Sequence, residues 1–238
     1  DYFASEEPDT MPSTQKIFID ELRLDHAHFS YLDENATPTD SGMDFSNIDI
    51  PDLTLAGSAF GMEGDTILAS IDELSFADRS GFTLRSLTSN IRISPLGIEL
   101  EDLGLITSNS ELHTKYLRFK TKSYDDYNDF ENRVRMHAEF LPTFLSMADI
   151  AYFVPDLWGN DQLLELAGEV KGSVNNIKSN FRRLQIGDTY IRGSFDISGL
   201  TEPESMFIAV SVDKLITSKE ALEAIRVPPF SEAAYLSL

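Results

Sequence analysis

The stretch at residues 17–25 reads IFIDELRLD and the stretch at 68–78 reads LASIDELSFAD, so the tetrapeptide IDEL occurs twice. With its flanks, IDEL belongs to a longer pattern of spacing apolar-x-apolar-x-x-apolar-x-apolar. Four copies of this pattern are Ile17, Ile19, Leu22, Leu24; Ile48, Ile50, Leu53, Leu55; Ala69, Ile71, Leu74, Phe76; and Ile98, Leu100, Leu103, Leu105. A weaker copy is Val210, Val212, Leu215. The repetition predicts a repeated structural unit.

Each copy fits a long β-strand that bends once in its middle. Apolar residues alternate on both sides of a two-residue gap, and such a slip would flip the strand's apolar side to the other face. A β-bulge restores the facing and adds twist. The gaps read DE (20–21), PD (51–52), DE (72–73), ED (101–102) and, in the weaker copy, DK (213–214). The alternative is a tight turn in each gap, joining two short strands.

The remainder of the chain adds further strands and three helices. Alternating runs at 81–93 and 97–106 are typical of strands, and we predict three more at 163–172, 174–186 and 189–200. Helices are predicted at 123–134, at 142–158 with Thr143 as N-cap and Pro155 as stop, and at 217–225 with Thr217 and Glu220 as a capping box. The second helix is expected to pack over one end of the β structure.

These patterns together predict a mainly β protein: a curved, mostly antiparallel β groove with two or three short helices. We divide the chain into a polar linker (1–15), a first β-groove segment (16–122), a helical insert (123–158) and a second β-groove segment (159–238). The first residue is not Met and the last residues are apolar. We therefore expect the chain to be a piece of a longer protein.

Charge and composition exclude several classes of partner. The chain has 238 residues and a net charge of −21, from 19 basic and 40 acidic residues. Such a field repels nucleic acid and anionic membrane surfaces. The absence of cysteine leaves the cellular compartment open. The sequence contains no run of 18 apolar residues, so it predicts no membrane-spanning helix.

No motif for catalysis, a cofactor or a metal ion stands out. The sequence contains no nucleophile elbow, P-loop, dinucleotide fingerprint or zincin helix, so we predict a protein that is not an enzyme and has no cofactor. His26 and His28 lie two residues apart and could share a metal ion, but a third ligand at suitable spacing is missing. We interpret them as surface histidines that flank a buried Phe29 and a buried Tyr31.

The apolar strand faces are the candidate site. A strand with one apolar side must bury it against a second sheet, a helix or a ligand. A curved sheet with an apolar concave face can hold acyl chains, whereas a closed sandwich core would leave the same sequence pattern. The residues predicted to face such a groove are Ile48, Ile50, Leu53, Leu55, Ile67, Ile71, Leu74, Phe76, Ile91, Ile93, Ile98, Leu100, Leu103 and Leu105.

Four segments resemble the TamB branch of the AsmA-like superfamily, in its Bacteroidetes-type form. They are KIFIDELRLDHAHFSYLDE (16–34), GMDFSNIDIPDLTLAG (42–57), the stretch from GDTILASIDEL to NSEL (64–112) and the stretch from DLWGNDQLLEL to DISGL (156–200). The resemblance runs from about residue 16 to the end of the chain and rests on the order and phrasing of these segments. It includes no catalytic motif.

The resemblance implies a periplasmic segment of a protein that is anchored in the inner membrane by an N-terminal helix absent from this chain. Such proteins form open, taco-like β grooves lined with apolar side chains and are linked to phospholipid transport and outer-membrane biogenesis. The implied partners are phospholipid acyl chains and, for the full-length protein, TamA-like outer-membrane assembly proteins. Compared with the family pattern, we expect the chain to be an internal segment without the anchor and the C-terminal domain, and we expect the insert at 123–158 to interrupt the regular groove.

Two other functions are compatible with the residues. The chain could be an interaction module that offers strand edges to outer-membrane β-barrel or autotransporter proteins during their assembly. It could also be a surface adhesin or a glycan-binding β-sandwich, for which grouped surface aromatic residues would be expected.

Overall fold

The computed structural model describes residues 16–37, 39, 42–154, 157–199 and 205–226. Its eleven strands form one antiparallel sheet in which each strand pairs with the next along the chain. The strands are β1 (Lys16–Leu32), β2 (Asn47–Glu63), β3 (Thr66–Ala77), β4 (Thr83–Ser94), β5 (Gly97–Thr107), β6 (Glu111–Lys120), β7 (Arg135–Ser146), β8 (Leu163–Ser173), β9 (Asn176–Ile186), β10 (Thr189–Ser198) and β11 (Phe207–Ile216).

Within the described residues the sheet is open, with β1 and β11 as its two edges. The prediction of a mainly β, curved, antiparallel groove with short helices is confirmed. The strands predicted at 163–172, 174–186 and 189–200 correspond to β8, β9 and β10.

Register shifts occur at four of the five predicted gaps. They lie at 51–52 in β2, 72–73 in β3, 101–102 in β5 and at residue 213 in β11. At the third of these gaps, Asp102 has a φ of 52°, a left-handed conformation that suits an extra residue in a ladder. The bulge interpretation therefore holds for these copies, and the tight-turn alternative is wrong because each strand continues through its gap.

The first copy differs from this prediction. β1 has no register shift at Asp20–Glu21; its shift lies between Leu24 and Ala27, where His26 has a φ of 53°. Asp, Asn and His enter this backbone region more readily than other non-glycine residues. The bulge of β1 therefore forms after the apolar pattern has ended.

The helical predictions are partly correct. A 3₁₀ helix (Tyr124–Asp129) and α1 (Phe130–Arg133) occupy the first predicted range. The third range contains α3 (Lys219–Glu223), but its N-cap is Ser218, whose hydroxyl accepts a hydrogen bond from the amide of Ala221, and not Thr217.

The helix predicted at 142–158 is wrong over most of its described range. β7 continues to Ser146, and only α2 (Met147–Ile150) is helical within the described part of that range, since Pro155 lies outside it. Thr143 is a strand residue, because pairing with β8 and two hydrogen bonds to the backbone of His113 override its capping preference.

The described strands of the predicted groove segments, 16–122 and 159–238, belong to one continuous sheet. β7 lies inside the range 123–158, so the helices there are connections on either side of a strand. Residues 1–15, predicted to be a linker, lie outside the described residues.

Candidate functional site

The fourteen predicted groove residues lie on one face of the sheet. Residues directly opposite each other in an antiparallel pair point to the same side. Ile67 pairs with Ile93, and Ile93 pairs with Ile98. Leu55 pairs with Leu74 in the same way. The bulges in β2, β3 and β5 keep the facing unchanged along each strand.

The same face continues through the strands for which no site residues were predicted. One row of paired residues crosses all eleven strands: Ile17, Met62, Ile67, Ile93, Ile98, Phe119, Met136, Gly172, Ile177, Ile197 and Ile208. The members of this row from β6 to β11 were missed by sequence reasoning, although the alternation of β9 and β10 could have identified Ile177 and Ile197. The apolar face is thus a property of the whole sheet.

Burial on this face is greatest in the middle of the strands. Ile50, Ile71 and Leu103 are buried, and so are Leu166 and Leu184 in the second half of the chain. Towards the strand ends the face is accessible, with 44% of Ile67 and 48% of Ile208 exposed. The other ten predicted groove residues are half-buried. Among the described residues no second sheet lies over this face.

A segment between β7 and β8 covers part of one end of the strands. In a meander, alternate turns lie at the same end of the sheet, so this connection is near the β1–β2, β3–β4 and β5–β6 turns. The amide of Met43 donates to the carbonyl of Tyr152 at 2.8 Å. The ring of Phe82 contacts Tyr152 and Phe153 edge-on at 5.6 and 5.0 Å between centroids. The predicted packing over one end of the β structure is therefore made by the turn that follows α2, at Tyr152 and Phe153, and not by a helix over 142–158.

Asp149 fastens that segment to the β5–β6 turn. Its carboxylate accepts hydrogen bonds from the hydroxyls of Thr107 and Ser110, the latter at 2.6 Å, and from the side-chain amide of Asn109 at 2.8 Å. Burial alone would raise the pKa of Asp149, but these hydrogen bonds outweigh burial and hold the pKa below its ordinary value. The segment is therefore held by a charged group with satisfied partners.

A second covering element lies at the other strand ends. The ring of Phe130 in α1 contacts the apolar-face residue Phe119 at 5.8 Å between centroids. Val134, which follows α1, is almost fully buried, and the amide of Asn175 donates to the carbonyl of Glu131. The β6–β7 connection thus bends over the apolar face from the opposite side.

The opposite face of the sheet is polar and its charges are largely paired across strands. Arg118 bonds to Glu101, and Arg182 bonds to Glu139 at 2.8 Å. Glu169 accepts from Lys171 and bonds to His137, and these contacts lower the pKa of Glu169 to about 2. A face with this composition is the solvent side of a one-sided sheet.

The two histidines considered as metal ligands each bond to a separate carboxylate. His26 Nδ1 lies 2.9 Å from Asp52, and His28 Nε2 lies 2.7 Å from Asp49. No group of three or more His, Cys, Asp or Glu side chains in the described part of the chain is arranged to hold a metal ion. The expectation that Phe29 and Tyr31 are buried is wrong: 46% of Phe29 and 51% of Tyr31 are exposed, because β1 has one neighbouring strand in the part of the chain that the structure describes.

Within the described ranges, no helix has the length and apolar character needed to cross a membrane. No protein family, no curated protein and no solved structure matches the chain.

Proposed function

We propose that this chain is a non-enzymatic lipid-handling scaffold whose apolar sheet face holds acyl chains. One observation carries the proposal: the apolar face extends over all eleven strands and remains partly accessible. Soluble proteins rarely expose a contiguous apolar surface of this extent without a ligand or partner for it. The two covering elements leave part of the face reachable, as the 44% exposure of Ile67 shows.

Burial alone can supply the binding energy for such a ligand. Each methylene group removed from water contributes about 0.8 kcal/mol. An acyl chain on this face therefore needs no specific polar contact. Because the contact is non-directional, a chain can slide from one strand to the next, which suits a carrier that must release its cargo.

The resemblance to TamB-like proteins gives this proposal a cellular setting. We place the chain in the periplasm, as one segment of a bridge between the inner and outer membranes that conducts phospholipids. In the longer protein, TamA-like assembly proteins would be partners at the outer membrane. The open, curved, antiparallel groove supports this reading, since it is the architecture that the resemblance implies.

The test compares two neighbouring residues on opposite faces of β3. Ile67 is 44% exposed on the apolar face and Leu68 is 43% exposed on the polar face. The purified chain, incubated with phospholipid vesicles and re-isolated, should carry lipid that native mass spectrometry or solvent extraction detects. The Ile67→Glu variant should carry less lipid, because it buries a charge against the acyl chain. The Leu68→Glu variant should bind lipid like the unmodified chain.

Two results would contradict the proposal. One is a chain that stays free of lipid under all these conditions. The other is an equal loss of lipid in the two variants, which would trace the loss to a general effect of added charge.

A second candidate function rests on the two edges of the sheet. β1 and β11 each have one neighbouring strand, so one side of each backbone has no ladder partner among the described residues. An unfolded outer-membrane β-barrel protein could add a strand there during its assembly. This function predicts photocrosslinks from an edge position to such a protein in the absence of lipid, whereas the lipid scaffold predicts none.

A further inference from the structure

The outer edge of β11 lacks the usual protection of an edge strand. Its first six residues, FIAVSV (207–212), contain no charge, no proline and no glycine, and all of them are exposed. Such a segment pairs readily with another strand. The two charges further along β11 are directed at β10, where Asp213 lies 3.8 Å from Arg192 and Lys214 lies over the ring of Tyr190.

β1, the other edge, is protected in two ways. It carries five charged residues within Lys16–Leu32, and a bulge at His26 interrupts the edge in its middle. Inserted charges and bulges are the devices by which natural sheets avoid pairing at their edges. The two edges of this sheet therefore differ: β11 presents six consecutive residues without a charge, a histidine or a bulge, and no run of that length occurs in β1.

The charge of the chain is distributed so that two β11 edges can approach. Residues 1–110 contain 21 acidic and 5 basic residues, whereas residues 111–238 contain 19 and 14. Pairing through β11 places the two strongly acidic halves at the far ends of the assembly. Pairing of β1 with β1 would bring the two acidic halves together, where they repel each other. Pairing of β1 with β11 would place the acidic half of one copy beside the less acidic half of the next.

We infer that two copies of this chain associate through β11, in an antiparallel pair with two-fold symmetry. A register centred on Val210 keeps the faces aligned, because it sets Val210 opposite Val210 and Ile208 opposite Val212. Ile208, Val210 and Val212 all lie on the apolar face. The paired assembly therefore has one apolar face of twenty-two strands. The inferred pairing does not depend on whether the cargo is lipid.

Single cysteines test this register because the chain has none of its own. In an antiparallel pair, directly opposite Cα atoms lie about 4.5–5.5 Å apart, within the range that a disulfide spans. The full chain with Val210→Cys should form a covalent dimer under mild oxidation. The matched variant Ile19→Cys, on the apolar side of β1, should form no covalent dimer, although it should still associate through its intact β11. A mixture of the two should give no mixed disulfide.

Light scattering on the cysteine-free chain supplies the second measurement. The unmodified chain should have the mass of two copies, dissociating on dilution, and Val210→Lys should have the mass of one. The inference is overturned by a monomer at every concentration, by a mixed disulfide between positions 19 and 210, or by a Val210→Lys dimer. The inference would also be overturned if the Val210→Cys variant were monomeric and its thiol did not react with a thiol reagent. Another part of the chain would then cover this edge.

Discussion

At the scale of single residues, two buried threonines on the apolar face have different surroundings. Thr114 is 1% exposed, and its hydroxyl has no hydrogen-bond partner among the described residues. The hydroxyl of Thr143 accepts from the amide of His113 at 3.0 Å and donates to its carbonyl at 3.1 Å. A buried hydroxyl without a partner costs about 1–3 kcal/mol.

We therefore predict that Thr114→Val stabilises the protein. The substitution keeps the shape of the side chain and removes the unpaired hydroxyl, so the free energy of unfolding should rise by about 1 kcal/mol. Thr143→Val, the matched control, loses two hydrogen bonds and should be destabilised by a similar amount. Chemical denaturation of the three proteins measures both effects, and destabilisation by both substitutions would contradict the prediction.

Glu169 should make the free energy of unfolding depend on pH in the acid range. Its hydrogen bonds with Lys171 and His137 lower its pKa from 4.5 to about 2 in the folded chain. A lowered pKa stabilises the fold at pH values above 4.5, and the contribution is lost as the pH falls from 4.5 towards 2. Since a third of the side chain is exposed, the effect is moderated by solvent screening.

Glu169→Gln should lose less stability than the unmodified chain over this acid range. Carbon-13 NMR of the Glu169 carboxyl gives an independent midpoint, expected near pH 2. A midpoint near the ordinary value of 4.5 would show that these contacts do not persist in solution.

At the scale of elements, glycine allows neighbouring strands to approach at the bends. Gly168 in β8 has a φ of +152°, and a Cβ there would lie 2.3 Å from the carbonyl oxygen of Asn180 and 2.7 Å from the Cα of Phe181. Both are backbone atoms of β9, which cannot move without breaking the ladder. Gly187, in the β9–β10 turn, has a φ of +54°, and a Cβ there would have no atom within 4 Å.

Gly168→Ala should therefore destabilise the protein by about 3 kcal/mol or more, through backbone strain and collision with β9. Gly187→Ala should cost only about 1 kcal/mol, because a left-handed φ is its one penalty. Thermal unfolding compares the two variants. Equal shifts would contradict the close approach at Gly168.

The elements also show which features the sequence could predict. The gaps at 51–52, 72–73 and 101–102 were identifiable because a slip in the apolar spacing has few structural causes. The boundary at Ser146 was not, because apolar residues from 140 to 154 fit a strand and a helix equally well. The partners that decide between them, such as Leu166 opposite Thr143, are distant in sequence.

At the scale of the whole molecule, the apolar face of β2–β5 was predictable, and that of β6–β11 was predictable only in part, at positions such as Ile177 and Ile197. In the second half, Gly168, Gly172 and Gly193 occupy apolar-face positions and interrupt the alternation. The sequence also could not distinguish a sealed sandwich from an accessible face. That difference depends on how far a connection such as 147–154 extends over the sheet, which no local pattern encodes.

The meander predicts a gradient of protection across the sheet. Each strand packs chiefly on its neighbours in sequence, and β1 and β11 have one neighbour each. In native-state hydrogen exchange at a concentration where the chain is monomeric, ladder amides of β5–β8 should exchange slowest and those of the edge strands fastest. Uniform protection from β1 to β11 would contradict this and would indicate one cooperative unit.

The strand order has a consequence for how the protein is made. Since every strand from β2 onward finds one ladder partner in the strand that precedes it, no pairing has to wait for a distant part of the chain. The sheet can lengthen one hairpin at a time as the polypeptide emerges from a ribosome or a secretion channel. The short-range topology thus makes the fold compatible with synthesis in one direction, and the unprotected β11 is the last of the described strands to be added.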